Sequence, residues 1–217
     1  EEALEDISKN KSPNVVTMIN TIKPYGRWEK ICGKGRILPA FPGAGGCIEG
    51  GILDAQLLPR AIQPTTFGEI GGRKSSREEA LAYIFRKSHI PYQIVPEMHH
   101  WQISHLGVII PLADAYYQSR HPEKICANEK LMTLTAYRMK KNLKWIAQKG
   151  MLCPAKLYMI KDMPTGMLAR VLSRVYQSEF GNRFLYRHAM HAPEEFQRLH
   201  QEFYNYMKTH TKESNKA

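Results

Sequence analysis

The hydrophobic positions of the first third of the chain come in short runs separated by turns. Residues 14–20 form a β-branched run that predicts a buried strand, and residues 36–40 form a second one. Between them, residues 27–32 have the pattern of a short helix. A strand, helix, strand order predicts a parallel pair joined by a right-handed crossover, which is the repeating unit of a doubly wound sheet.

The next segments continue the mixed pattern. Residues 52–58 and 61–70 are two apolar runs joined by a Pro-Arg turn, and they predict an antiparallel pair. Ser76 followed by Glu79 predicts a capping box at the start of a helix. Residues 92–95 predict one more short strand.

Beyond this strand the hydrophobic period becomes helical. Residues 98–117 are apolar on nearly all sides, and residues 128–149 carry one apolar stripe, so both segments predict long helices. A third helix is expected after Pro164, and a last one from Pro193, a residue favoured in the first helical turn. The polar tail 209–217 is expected to fray.

The pattern as a whole predicts an α/β part followed by an all-α part. The boundary is placed near residue 96, so that residues 1–96 contain a partial sheet and residues 97–217 form a helical domain. A chain of 217 residues with 43% hydrophobic content can bury such a core. No apolar run reaches the roughly 18 residues that would cross a bilayer. We therefore expect no membrane partner.

Cysteine usage and net charge narrow the setting and the partners. The four cysteines are far apart and contain no C-x-x-C pair, which favours a reducing, cytoplasmic location. The net charge is +11, but the lysines and arginines are spread along the chain rather than in a block. This distribution indicates a weak attraction for anions and no nucleic-acid partner.

Residues 41–51 contain five glycines directly after the second strand. The dinucleotide fingerprint G-x-G-x-x-G would require glycine at position 48, where the chain has Ile48, and no P-loop lysine follows. Two alternatives remain open. The glycines allow the backbone to approach a ligand closely at the strand end, or they only form a turn that reverses the sheet.

Five features in this order resemble the ketopantoate reductase (2-dehydropantoate 2-reductase) family. They are Asn20 at a strand end, Phe-Pro-Gly-Ala-Gly-Gly at 41–46, Gln-Pro-Thr-Thr-Phe-Gly-Glu at 63–69, Ile90-Pro91, and Met-x-x-Trp ending at Trp101 before the helical tail. The second and third segments resemble a divergent branch of that family in particular. The resemblance spans nearly the whole chain.

The resemblance implies an NADP-dependent oxidoreductase that reduces a small 2-oxo acid of the ketopantoate type by hydride transfer. In that family a Rossmann domain binds NADPH and a helical domain closes over it. Residues 1–96 would then be the second half of the nucleotide domain, and the first half, with the glycine fingerprint, would precede Glu1. A fragment of this kind is expected to be inactive by itself, because the binding site for the cofactor's pyrophosphate would be absent.

The catalytic pattern of the family is altered in this sequence. Members of the family carry a lysine two residues after the tryptophan and an asparagine four residues beyond it, where this chain has Ile103 and Gly107. The nearest titratable residue is His105, one helical turn from Trp101. Its ordinary pKa suits a general acid, but a histidine in the helix core is the alternative.

The predicted site contains seven residues. We expect His105 as proton donor and Asn20 as the amide that positions substrate or cofactor. The resemblance further implies substrate contacts from Gln102, Ser104 and Glu69, and cofactor contacts from Asn20, Gly43 and Gly45, with the substrate between these segments and the helix that follows Trp101.

A metal site and a non-catalytic role are two further possibilities. His188 and His191 are three residues apart, but no third ligand is placed by spacing, so no metal is expected. The absent lysine, asparagine and fingerprint also fit a non-catalytic binding or dimerisation module. A half sheet would expose an edge that a second copy could cover, as in a homodimer.

Overall fold

The computed structural model describes residues 2–214, which divide into two compact units. The sheet unit comprises the residues up to Gly45 together with Ala55–His99, and the helical unit comprises Gly46–Asp54 together with the residues from His100 onward. No helix among the described residues is both long and apolar enough to cross a membrane.

The first part of the chain contains both strands and helices, and the part after the last strand contains helices alone. The strands are β1 (Val15–Met18), β2 (Ile37–Phe41), β3 (Ala44–Glu49), β4 (Ile52–Leu57), β5 (Thr65–Phe67) and β6 (Tyr92–Ile94). The α-helices are α1 (Glu2–Lys9), α2 (Gly26–Cys32), α3 (Ser76–Lys87), α4 (Met98–Gln118), α5 (Glu129–Gln148), α6 (Lys156–Asp162), α7 (Thr165–Gln177), α8 (Arg187–His191) and α9 (Pro193–Ser214). A 3₁₀ helix spans Pro122–Ala127, and a π-helix spans Gly181–Tyr186.

The main sheet has four strands in the order β1, β2, β5, β6. β1 and β2 are parallel, with Val15 opposite Ile37, and α2 connects them as predicted. β5 runs antiparallel to β2, with Phe67 opposite Ala40, and parallel to β6. The sheet is therefore mixed.

Strand β2 is apolar throughout because helices cover both of its faces. Successive side chains of a strand point to opposite faces. Ile37 accordingly packs with Trp28 of α2 on one side, and Leu38 packs with Phe85 of α3 on the other. This two-sided burial explains a continuous hydrophobic run where a half-exposed strand would alternate.

The predicted antiparallel pair of residues 52–58 and 61–70 is wrong. β4 pairs instead with β3, because Gly50 and Gly51 both adopt positive φ, of 57° and 79°, and form a two-residue hairpin turn. Of the second run, only Thr65–Phe67 is strand, and it lies in the main sheet. The glycine-rich segment is thus itself a strand.

The helix predictions are largely confirmed, with two corrections at helix ends. Asn128 caps α5 by accepting a hydrogen bond from the N–H of Leu131, as its position predicts. The cap of α3 is Ser75 rather than Ser76, since the Ser75 hydroxyl accepts from the N–H of Glu78. The tail predicted to fray is helical as far as Ser214, and the rest of it lies outside the described residues.

A proline inside α4 leaves one backbone carbonyl of the helical core without its usual hydrogen-bond donor. Pro111 has no N–H, so the carbonyl of Gly107, four residues earlier, lacks its usual helical donor. The side chain of Asn142 on α5, only 1% exposed, donates a hydrogen bond to this carbonyl at 3.3 Å. The same amide also donates to the Tyr204 hydroxyl on α9 at 3.4 Å.

Candidate functional site

Asn20 follows the carboxyl end of β1 and carries an unused buried acceptor. Its side-chain oxygen Oδ1 is shielded from solvent and has no hydrogen-bond partner among the described residues. A buried polar atom of this kind is rare because the loss of hydration is not compensated. A ligand N–H or O–H that reached this position would supply the missing bond.

Gly43 approaches protein backbone rather than an open cavity. A Cβ at this position would lie 2.3 Å from the nitrogen of Thr65 and 2.5 Å from the carbonyl carbon of Pro64. Its N–H donates to the Thr65 hydroxyl at 3.0 Å, and its carbonyl accepts from Leu58 at 2.7 Å. Close packing between neighbouring segments therefore explains this glycine without a cofactor. Gly45 lies in β3 and is partly exposed.

Glu69 is held by an ion pair within the sheet unit. The guanidinium of Arg77 donates to both carboxylate oxygens, and the Ser75 hydroxyl donates to Oε1. Arg77 also donates to the carbonyl of Ile37 at 2.9 Å, so the pair joins the start of α3 to the start of β2. The hydrogen bond from Arg77 is the main cause that lowers the pKa of Glu69. Most of the carboxylate's accepting capacity is thus used inside the protein.

His105 is a neutral ring stacked on an indole. The centroid of its imidazole lies 5.0 Å from the ring centroid of Trp101, with 9° between the ring planes. Burial, reinforced by the nearby charge of His188, lowers the pKa of His105 to about 3. The ring consequently carries no positive charge at neutral pH. It can donate a hydrogen bond from N–H, and proton donation would require a bound anion or a developing alkoxide to raise its pKa.

Ser104 and Gln102 lie on the same helix but are both buried. The Ser104 hydroxyl donates to the carbonyl of Met151 at 3.2 Å and accepts from the N–H of Cys153 at 3.0 Å. These two hydrogen bonds connect the segment after α5 to α4. Gln102 is 1% exposed.

The two histidines considered for metal binding lie on α8. His188 packs edge-on against Phe196 at 5.2 Å between ring centres, and Nδ1 of His191 bonds to the carbonyl of Arg187 at 2.7 Å. Within the described part of the chain, no three His, Cys, Asp or Glu side chains are grouped as metal ligands would be.

The structure thus gives the predicted site residues different surroundings. Oδ1 of Asn20 has no hydrogen-bond partner among the described residues. Glu69, Ser104 and Gly43, in contrast, form hydrogen bonds with other residues of the protein. Their substrate and cofactor roles stay predictions, as does the placement of a substrate between these segments and the helix that follows Trp101. Arg77 is absent from the site predicted from the sequence, although an arginine two residues after a helix cap and near a buried glutamate is a signal of an ion pair.

The described residues fit a nicotinamide dinucleotide only in part. The Asn20 oxygen provides an acceptor that a carboxamide or hydroxyl could use. The glycine-rich segment runs into a hairpin and not into a helix N-terminus, so it offers no pyrophosphate seat of the usual kind.

Comparison with known proteins identifies the fold but not the family. No protein-family model and no curated protein matches the sequence. Among solved structures, the chain is similar to 2-dehydropantoate 2-reductase from Geobacter metallireducens GS-15, with a TM-score of 0.52 and 16% identity over 84% of this chain. The enzyme of the same name from Porphyromonas gingivalis W83 aligns over 89% of this chain with a TM-score of 0.45 and 12% identity, which is too low to support an argument.

The chain therefore has the mixed sheet and helical C-terminal region of a 2-dehydropantoate 2-reductase fold. This confirms the predicted fold class, an α/β part followed by an all-α part. The alignment covers 62% and 64% of the lengths of the two solved chains, so this chain spans less than two thirds of either.

Proposed function

We propose that this chain is part of an NADP-dependent oxidoreductase that reduces a small 2-oxo acid of the ketopantoate type. The observation that carries the proposal is the buried oxygen of Asn20 at a strand end, which has no hydrogen-bond partner among the described residues, in a fold shared with a 2-dehydropantoate 2-reductase. In such sheets, ligands bind outside the carboxyl ends of the strands. The bound cofactor would supply the hydride.

The residues of this chain would bind and polarise the substrate. Asn20 accepts a hydrogen bond from cofactor or substrate, and that bond compensates for the desolvation of its buried side-chain oxygen. Within the helical unit, the neutral imidazole of His105 is the group that we propose as a hydrogen-bond donor, a mode in which an imidazole stabilises negative charge without first being protonated.

Steady-state NADPH oxidation by the complete gene product, with a panel of 2-oxo acids, tests this proposal. We expect turnover with at least one branched 2-oxo acid, and about a ten-fold loss in kcat/KM for Asn20→Ala, as for one lost hydrogen bond. Asn14→Ala is the matched control, since Asn14 is exposed just before the other end of β1. Absence of NADPH oxidation with every acid would refute the reductase proposal.

A second candidate function is a non-catalytic dimerisation module. β1 is an edge strand, and its side chains Val16 and Met18 are 37% and 40% exposed on one face, next to Ile19 at 48%. An exposed edge strand with apolar side chains can pair with another chain.

The molar mass in solution separates the two candidates. A homodimer that Val16→Lys or Met18→Lys converts to a monomer, without any NADPH oxidation by the wild type, would support the module. A monomer that oxidises NADPH would rule the module out.

A further inference from the structure

Two arginines and one aspartate meet within the helical unit. Asp54 lies on β4, just after the hairpin turn, and Arg183 of the π-helix donates from Nη2 to its Oδ1. Nη1 of Arg187, at the start of α8, lies 3.6 Å from the other oxygen, Oδ2. The two guanidinium groups thus flank a single carboxylate.

The spacing of the arginines places both on the same side of one helical turn. Arg183 and Arg187 are four residues apart, and side chains at this separation are neighbours on a helix surface. They belong to the segment where the π-helix passes into α8, and such wide turns are frequent at functional sites.

One donor of this cluster, Nε of Arg183, is buried and has no hydrogen-bond partner among residues 2–214. A guanidinium offers its N–H groups in a planar fork that matches two oxygens of a carboxylate or phosphate. Asp54 engages Arg183 through Nη2, so the fork of Arg183 is only partly used. Of the three side chains, two are positive and one is negative.

Asp54 is held by contacts that a solute could replace. Its side chain is 44% exposed, so water and dissolved anions reach the carboxylate. It is also borne by a two-stranded hairpin whose turn consists of two glycines, Gly50 and Gly51. An ion pair with this exposure contributes little net stability.

We propose that Arg183 and Arg187 form a binding site for the oxyanion group of a small carboxylate or phosphate, and that Asp54 occupies this site in the free protein. The incoming anion pairs with both guanidinium groups and satisfies Nε of Arg183. Asp54 returns to solvent, and its own charge makes it an internal competitor for the site. The excess positive charge of the chain, +11, favours the arrival of such anions.

Calorimetric titration with oxalate, and separately with inorganic phosphate, tests this site without any nucleotide. Removing the competitor with Asp54→Asn is expected to tighten binding about ten-fold, because the arginines no longer have to release an internal carboxylate. Adding Arg183→Gln to that variant is expected to abolish the gain. Arg174→Gln, an exposed arginine on α7, is the matched control and should leave the affinity unchanged.

Preference for oxalate would identify a carboxylate as the ligand group, and preference for phosphate would identify a phosphate; either supports the shared oxyanion site. Equal affinities of the wild type and Asp54→Asn, or a gain that survives Arg183→Gln, would overturn the proposal. Circular dichroism of each variant verifies that binding is measured on folded protein. Since no cofactor is present, the outcome is independent of the reductase proposal.

Discussion

The polar contact that compensates for Pro111 can be measured by a double-mutant cycle. Asn142→Ala removes the donor to the Gly107 carbonyl, and Pro111 cannot replace it. The carbonyl is buried, so its desolvation should cost about 1 to 3 kcal/mol, and the cavity adds to this. Tyr204 is only partly buried, and its hydroxyl can return to water. We expect a total loss of about 3 kcal/mol in the free energy of unfolding.

In the Pro111→Ala background, a backbone N–H at position 111 can donate to Gly107, so Asn142→Ala should cost about 1 kcal/mol less. Urea unfolding followed by circular dichroism gives the four free energies, and Asn205→Ala on the exposed side of α9 is the control, with a change near zero. Equal costs of Asn142→Ala in both backgrounds, within about 0.5 kcal/mol, would refute this reasoning.

Three further predictions concern the candidate site residues. The pKa of His105 is lowered from 6.5 to about 3, so the folded protein binds this proton less tightly than the unfolded chain. Stability should therefore fall as the pH decreases from 6.5 towards 3, by about 1.4 kcal/mol per pH unit. His105→Gln should flatten that dependence in urea titrations at several pH values. Glu69→Gln leaves the partly buried Arg77 without its counter-ion and should cost about 3 kcal/mol, measured as a lowered urea midpoint; an unchanged midpoint would contradict the structural role of the pair. Gly43→Ala forces a Cβ within 2.3 Å of the Thr65 nitrogen and should lower the melting temperature through a loss of about 3 kcal/mol, whereas an unaffected variant would show that these segments can separate.

Hydrophobic periodicity was sufficient to predict the helices that pack through one apolar stripe. α5 and α7 begin near a capping asparagine and a proline respectively, and these local signals do not depend on the rest of the fold. The parallel β1 and β2 pair was predictable for a similar reason, since a short strand, helix, strand order allows few arrangements.

The strand pairings around the glycines were not predictable in the same way. Glycine has a low strand propensity, so β3 resembled a loop, and its partner β4 was assigned to the next run instead. Which runs pair is decided by the positive φ angles at Gly50 and Gly51, which the composition permits but does not require.

The surroundings of the site residues depend on contacts between distant parts of the sequence. Glu69 was predicted to bind substrate because its position matched a family motif, but Arg77 and Ser75 engage its carboxylate. Ser104 is engaged by residues nearly fifty positions later in the chain. Periodicity identifies buried faces, whereas polar partners across the fold require the three-dimensional arrangement.

Equilibrium binding of NADPH to the complete gene product tests the proposed function most directly. The account predicts saturable binding that Asn20→Ala weakens by about three- to ten-fold, corresponding to one hydrogen bond, and that Asn14→Ala leaves unchanged. Binding that is equally tight in wild type and Asn20→Ala, or no binding at millimolar NADPH, would contradict it.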